Sequence, residues 1–242
     1  MPELPRAILF DLDETILSFG HRPALLHEVA EEMAAELAPL TPAQVAAMLE
    51  AHYRAFWADA ERHREWRKRP LVESRRFIAA QAFEALRRTG AGQLTEDLAN
   101  RFGDRFHAYR EEQCRFFPGA LEALDQLRDR GVRMALVTNG VGEIQRGKIS
   151  RFDLGRRFDH IQIEGEHGFG KPEERAYLHA LQSLDVTAPE AWMVGDNLEW
   201  EVVAPQKLGI FSIWHDPFGQ GLPPGSEIRP DRIIRSLGEL LD

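Results

Sequence analysis

Apolar and polar positions in this chain follow two different periods, and the change between them divides the sequence. From about residue 22 to 113 the period is helical. Val45, Met48, Leu49, Tyr53 and Phe56 recur at spacings of three and four, which places them on one face of a helix. Thr41-Pro42-Ala43-Gln44 is the start signal for that helix: Thr41 caps it, Pro42 fits its first turn and Gln44 reaches back. Phe77, Ile78, Phe83 and Leu86 repeat the pattern over 71–89, and Gly90 stops it. Leu25, Leu26, Val29, Met33 and Leu37 mark an earlier helix, and a further one is predicted from Thr95 to about Glu112. No segment of this block reads as a strand.

Outside the block, short apolar runs alternate with amphipathic stretches. Residues 7–10 (AILF) are strand-like. After Pro118-Gly119 come a helix over 120–130 closed by Gly131, a strand over 132–137 and a helix around 143–151. A strand over 160–163, a helix over 173–184, a strand over 191–194, a helix over 198–208 and a strand over 209–214 follow. Residues 231–241 close the chain with an apolar run and a helix. Strands alternating with helices in this way mean βαβ units and a parallel sheet. The predicted class is α/β: a doubly wound, Rossmann-like parallel sheet formed by 1–18 and 114–242, interrupted by an all-helical segment, 19–113.

Composition narrows what such a protein does. At 242 residues, 43% of them hydrophobic, the chain can bury a sizeable core as one large domain or a domain with an insertion. A net charge of −9 argues against a general nucleic-acid or anionic-membrane binder. The single cysteine, Cys114, excludes an intramolecular disulfide framework and a cysteine-built metal site, which fits a reducing compartment. No apolar run approaches the about 18 residues of a membrane span, and the stretch in MPELPRAILF is too short for a signal peptide. The expectation is a soluble, cytoplasmic protein, monomer or homodimer, without a nucleic-acid or membrane partner.

In an open parallel sheet, ligands sit beyond the carboxyl ends of the strands. The first strand is followed by Asp11-Leu12-Asp13-Glu14-Thr15, the second by Thr138-Asn139-Gly140, and the fourth by Gly195-Asp196-Asn197 with Glu201 five residues beyond Asp196. Between the last two, Lys171-Pro172 leaves a loop containing Gly165, Gly168 and Gly170. Two aspartates placed as closely as Asp11 and Asp13 repel unless a cation or a proton sits between them. Taken singly, Thr138 reads as a cap, Lys171 as a surface lysine and Asp196 as a loop former. Together, in order and at strand ends, they point to one site.

The ordered set DLDET (11–15), LVTNG (136–140), GKP (170–172) and GDNLEWE (195–201) resembles the four motifs of the haloacid dehalogenase-like hydrolases, and the resemblance covers nearly the whole chain. It implies that the helical insertion is a small cap and that the activity is Mg2+-dependent hydrolysis of a small phosphorylated metabolite. Asp11 would attack phosphorus and form an aspartyl-phosphate, and Asp13 would protonate the leaving group and then activate water. Thr138, Asn139 and Lys171 would bind the phosphate oxygens. Asp11, Asp196 and the backbone carbonyl of Asp13 would hold Mg2+, with Glu201 standing where the family usually has Asp. Dehalogenases of the family lack the second aspartate of the first motif, so Asp13 argues against halide chemistry. A phosphotransferase or phosphomutase on the same core, or a non-catalytic binding protein, are the alternatives.

Other signals weigh less. Residues 142–148 (GEIQRGK) match the glycine and lysine spacing of a phosphate-binding loop, but Ile149 replaces its metal-binding hydroxyl and a helix is the better reading. The basic run from Arg62 to Arg69 fits a solvated helix end, with Arg75 and Arg76 available to face an anion. The nine histidines show no metal-ligand spacing; His21, just past the first motif, is the one placed to matter.

Overall fold

The computed structural model describes residues 4–59, 62, 65–66, 69–90 and 94–242. It divides into two compact units, one formed by 1–18 with 115–242 and the other by 19–114.

The first unit is built on β1 (Ala7–Phe10), whose four residues are all buried. A strand buried on both faces is continuously apolar, which is why AILF shows no alternation. β1 pairs in parallel with β4 (Arg133–Thr138) on one side and β6 (Ala191–Gly195) on the other. β5 (His160–Ile163) extends the sheet beyond β4, while β7 (Phe211–His215) and β8 (Arg232–Ile234) extend it beyond β6. The order is β5-β4-β1-β6-β7-β8, all parallel, so the direction of winding reverses at β1. That reversal opens a crevice at the carboxyl end of β1. Ala7 and Leu9 pack under Tyr177, Ala180 and Leu181 of the helix Glu174–Ser183.

Two details depart from the sequence reading. Leu17–Ser18 (β2) and Arg115–Phe116 (β3) form an antiparallel ribbon where the chain leaves this unit and returns to it. The helix predicted over 198–208 is a π-helical turn, Leu198–Val203, followed by Ala204–Gln206. Pro205 has no N–H to give the Glu201 carbonyl and its ring crowds that carbonyl, which accounts for the widened turn.

The second unit consists, among the described residues, of the helices Arg22–Glu32, Ala34–Leu37, Pro42–Ala58, Leu71–Arg88 and Glu96–Glu112. They enclose a core of their own that includes Leu26, Val29, Leu49, Phe83, Phe102 and Phe106. The capping box is present: Thr41 N–H donates to Gln44 Oε1 at 2.9 Å, and Gln44 N–H to Thr41 Oγ1 at 3.3 Å. Ile78, Phe83 and Leu86 are buried, whereas Phe77 is 37% exposed and stacks at the rim on Phe56 and Trp66. Adjacent helical residues diverge by about 100°, so Phe77 and Ile78 do not share a face. The first predicted helix is interrupted at Met33. Half of the basic run 62–69, residues 63, 64, 67 and 68, lies outside the described residues. Among the described residues no helix is long and apolar enough to cross a membrane.

Candidate active site

The carboxyl end of β1 positions the first two acids. Asp11 continues the sheet ladder, its N–H donating to the Val194 carbonyl at 3.0 Å. Its side chain is buried. Glu14 adopts a left-handed φ of 61° and the Ile16 N–H closes back on the Leu12 carbonyl at 3.0 Å. A non-glycine residue in that region marks a tight turn, and this one returns the chain so that Thr15 Oγ1 reaches Asp11 Oδ2 at 3.3 Å.

A second layer comes from the helix Gly142–Arg151, which follows β4. Its residues Gln145 and Lys148, three apart, lie on one face. Lys148 Nζ donates to both oxygens of Asp13, at 2.9 and 2.8 Å, and Gln145 Nε2 reaches Asp13 Oδ2 at 3.1 Å. The same amide nitrogen lies 2.5 Å from Thr138 Oγ1 at the end of β4. These contacts belong to a helix, not to a phosphate-binding loop.

Lys171 is delivered by the loop beyond the short helix Glu164–His167 and is completely buried. The Asn139 side chain brackets its backbone: Nδ2 donates to the Lys171 carbonyl at 2.6 Å, and Oδ1 accepts from the Lys171 N–H at 2.9 Å. Gly170 permits this approach, since a Cβ there would lie 2.6 Å from Asn139 Oδ1. Lys171 Nζ donates to Asp11 Oδ1 and to Glu201 Oε1, both at 2.6 Å. Glu201 Oε2 accepts from the Asn197 N–H at 2.7 Å, so both of its oxygens are engaged. Asp196 leaves the end of β6, and its backbone carbonyl accepts from Trp214 Nε1 at 2.7 Å.

The charges explain one another. Burial opposes an ammonium at Lys171, but Asp11 and Glu201 outweigh it and hold the side chain protonated. Burial raises the Asp11 carboxyl, Lys171 opposes the rise, and Asp13 adds to it. The Glu201 carboxyl is pushed up to about 7 by burial, against Lys171 and with Asp11. Asp196 is raised well above the usual carboxylate range by burial and by Glu201, Asp11 and Glu14, with Lys171 as the opposing cation. Asp11, Asp196 and Glu201 thus bring more acidic groups to the pocket than the buried Lys171 offsets. Its donors, the carboxylates of Asp11 and Asp196 and the carbonyl of Asp13, are all hard oxygens, a set suited to Mg2+.

Direct hydrogen bonds link Asp11, Lys171, Asn139 and Glu201, and a second set links Asp13 to Thr138 through Gln145. Gln145 is absent from the motif reading, and Lys148 enters it only as the lysine of the phosphate-loop near-match over 142–148; neither reads there as a partner of Asp13. His21 is exposed at the start of the helix Arg22–Glu32 in the other unit. Arg75 hydrogen-bonds His107, and Arg76 pairs with Asp104 at 2.5 and 2.8 Å.

Comparison with known proteins gives a consistent picture. The model of the haloacid dehalogenase-like hydrolase family matches residues 5–209. A phosphoserine phosphatase of Thermus thermophilus is 35% identical over 153 residues, 62% of this chain and 58% of that protein. The chain therefore spans less than two thirds of that relative's length. A glyceraldehyde 3-phosphate phosphatase of Methanopyrus kandleri is 27% identical over 98% of this chain and 96% of its own. Among solved structures, the hydrolase YfnB of Bacillus subtilis, bound to magnesium and described as showing interdomain movement, is 26% identical with a TM-score of 0.66 over 98% of this chain and 97% of that one.

Proposed function

The chain belongs to the haloacid dehalogenase-like hydrolases, and we propose that it hydrolyses phosphomonoesters of small metabolites, with Asp11 as nucleophile and Mg2+ as cofactor. The observation that carries this reading is the buried contact of Asp11 with Lys171 at 2.6 Å, with Asp13 two residues further on. The names of the two phosphatase relatives, one for an amino-acid phosphate and one for a triose phosphate, share only the phosphomonoester. Substrate choice would rest with the inserted helical unit, 19–113, acting as a cap.

On this reading Asp11 Oδ attacks phosphorus and the ester P–O bond breaks, leaving an aspartyl-phosphate. Asp13 gives its proton to the departing alkoxide and then takes one from the water that attacks the aspartyl-phosphate, which frees Asp11 and inorganic phosphate. Lys148 and Gln145 fix the Asp13 carboxylate between these two transfers. Thr138 and Lys171 receive phosphate oxygens, and the Asn139 side chain holds Lys171 in place to do so. Asp11, Asp196 and the Asp13 carbonyl would hold Mg2+, whose contribution is to neutralise negative charge as the phosphate approaches Asp11. Glu201 would act mainly through Lys171, to which it is bonded.

The test is release of p-nitrophenol from p-nitrophenyl phosphate, with Mg2+ and with EDTA, by the wild type and by Asp11→Asn. The expected result is Mg2+-dependent turnover that the substitution removes. Turnover unaffected by Asp11→Asn would overturn the assignment.

A further inference from the structure

Away from the acidic pocket, a strand and two helices bring three histidines together. His160 opens β5, His167 ends the short helix Glu164–His167, and His179 lies in the helix Glu174–Ser183. One ligand nitrogen from each falls within 4.8 Å of the other two. The ring centroids of His179 lie 5.2 Å from those of both His160 and His167, and the remaining pair is 6.2 Å apart. Phe169 packs edge-on against His167 and His179, at 5.7 and 5.5 Å.

The hydrogen bonds around the cluster decide which nitrogens are available. The buried Gln162 side chain donates its Nε2 to the Ala176 carbonyl at 2.9 Å, so its Oε1 is left to accept. His179 Nδ1, 2.7 Å from that oxygen, is therefore the protonated nitrogen, and His179 Nε2 keeps its lone pair. His167 Nδ1 faces the Ile163 carbonyl at 3.1 Å, which can only accept, so His167 Nε2 also keeps its lone pair. His160 Nε2 is buried and has no hydrogen-bond partner. A buried polar atom without a partner costs free energy. Nδ1 anchored to a carbonyl-type oxygen with Nε2 left open is the usual support of a metal-bound histidine.

We infer that His160, His167 and His179 form a binding site for a borderline transition-metal ion of the Zn2+ or Co2+ class, with a fourth position left to water. Imidazole nitrogens suit such ions and not Mg2+, so this site and the oxygen-lined pocket would select different metals. Ligand nitrogens about 2.0–2.1 Å from one tetrahedral ion lie about 3.4 Å apart, so nitrogens up to 4.8 Å apart need to close by up to about 1.4 Å. The ion would tie β5 to the two helices that flank the loop carrying Lys171. The site does not depend on the phosphatase reading.

The experiment is a titration of the full chain with Co2+ under a large excess of Mg2+, which occupies the oxygen donors, followed by optical absorption. The expected result is one Co2+ per chain with the intense visible bands of four- or five-coordinate nitrogen ligation, displaced by Zn2+. His179→Ala, folded by circular dichroism, is expected to lose these bands, and Gln162→Leu to weaken binding about 10- to 100-fold. Long-range proton–nitrogen spectra of the wild type need no variant. One equivalent of Zn2+ should shift the Nε2 resonances of His160, His167 and His179 together. Absence of Co2+ bands in the wild type, bands that survive His179→Ala, or Zn2+ shifts confined to other histidines would each overturn the site.

Discussion

Among the described residues Lys171 is the one cation buried against Asp11 and Glu201, so Lys171→Met is a direct perturbation of the pocket's charge balance. Unit charges 2.6 Å apart attract by about 6 kcal/mol at an effective dielectric of about 20, and Lys171 makes two such contacts. Desolvation of three buried charges consumes most of that gain, and removal of one partner of a buried pair costs about 3–5 kcal/mol. Methionine keeps the apolar stem volume, so the cavity contribution is small. The expected loss is therefore about 3–5 kcal/mol, measured by urea unfolding with tryptophan fluorescence in EDTA. The loss should depend on pH in a defined direction. Asp11 and Glu201 are already raised by burial, Glu201 to about 7, and rise further once the ammonium is gone. A carboxyl with a raised folded-state pKa stabilises the fold below its unfolded value and loses that contribution as pH climbs through the folded one. The variant's deficit should thus be smaller at pH 6 than at pH 8, and Glu201→Gln added to Lys171→Met should recover part of it. A deficit under about 1 kcal/mol, or one that grows on acidification, would refute the reasoning.

Asp13→Asn should lower turnover of alkyl phosphates by about 10²–10⁴-fold and of p-nitrophenyl phosphate less, because that leaving group needs no proton; steady-state kinetics on both substrates compares them. At Gly195 a Cβ would overlap the Cγ of Glu201, so Gly195→Ala should cost about 1–3 kcal/mol in urea unfolding and lower activity with it. In the helical unit, a Cβ at Gly103 would lie 2.9 Å from the Cα of Arg76, and Gly103→Ala should destabilise that unit by a similar amount, seen as faster hydrogen exchange in Glu96–Glu112.

The parts of this fold that were legible in the sequence are those whose cause is local. Thr41 and Gln44 cap a helix three residues apart, and the unbroken AILF run reports a strand buried on both faces. The convergence of Asp11, Thr138 and Asp196 follows from parallel topology, because every strand of such a sheet ends on the same edge, while Lys171 comes in on the loop after the short helix Glu164–His167. What the sequence concealed depends on distant partners. Gln145 and Lys148 look like solvated helix residues until Asp13, 132 and 135 residues away, is placed beside them. β2 and β3 have two residues each, too few to show a period. The helix predicted over 198–208 spans Pro205, whose missing N–H reshapes the turn that carries Glu201. The histidines at 160, 167 and 179 have no motif spacing, since a strand and two separate helices bring them together.

The central claim is that Asp11 carries the phosphoryl group, and trapping that adduct tests it most directly. The chain would be mixed with a phosphomonoester and Mg2+, acid-quenched within a turnover, digested and read by mass spectrometry. The account predicts the mass of one phosphoryl group on the peptide containing Asp11, present in the wild type and absent in Asp11→Asn. A substrate turned over with the adduct on a different peptide, or with the same adduct in Asp11→Asn, would contradict it.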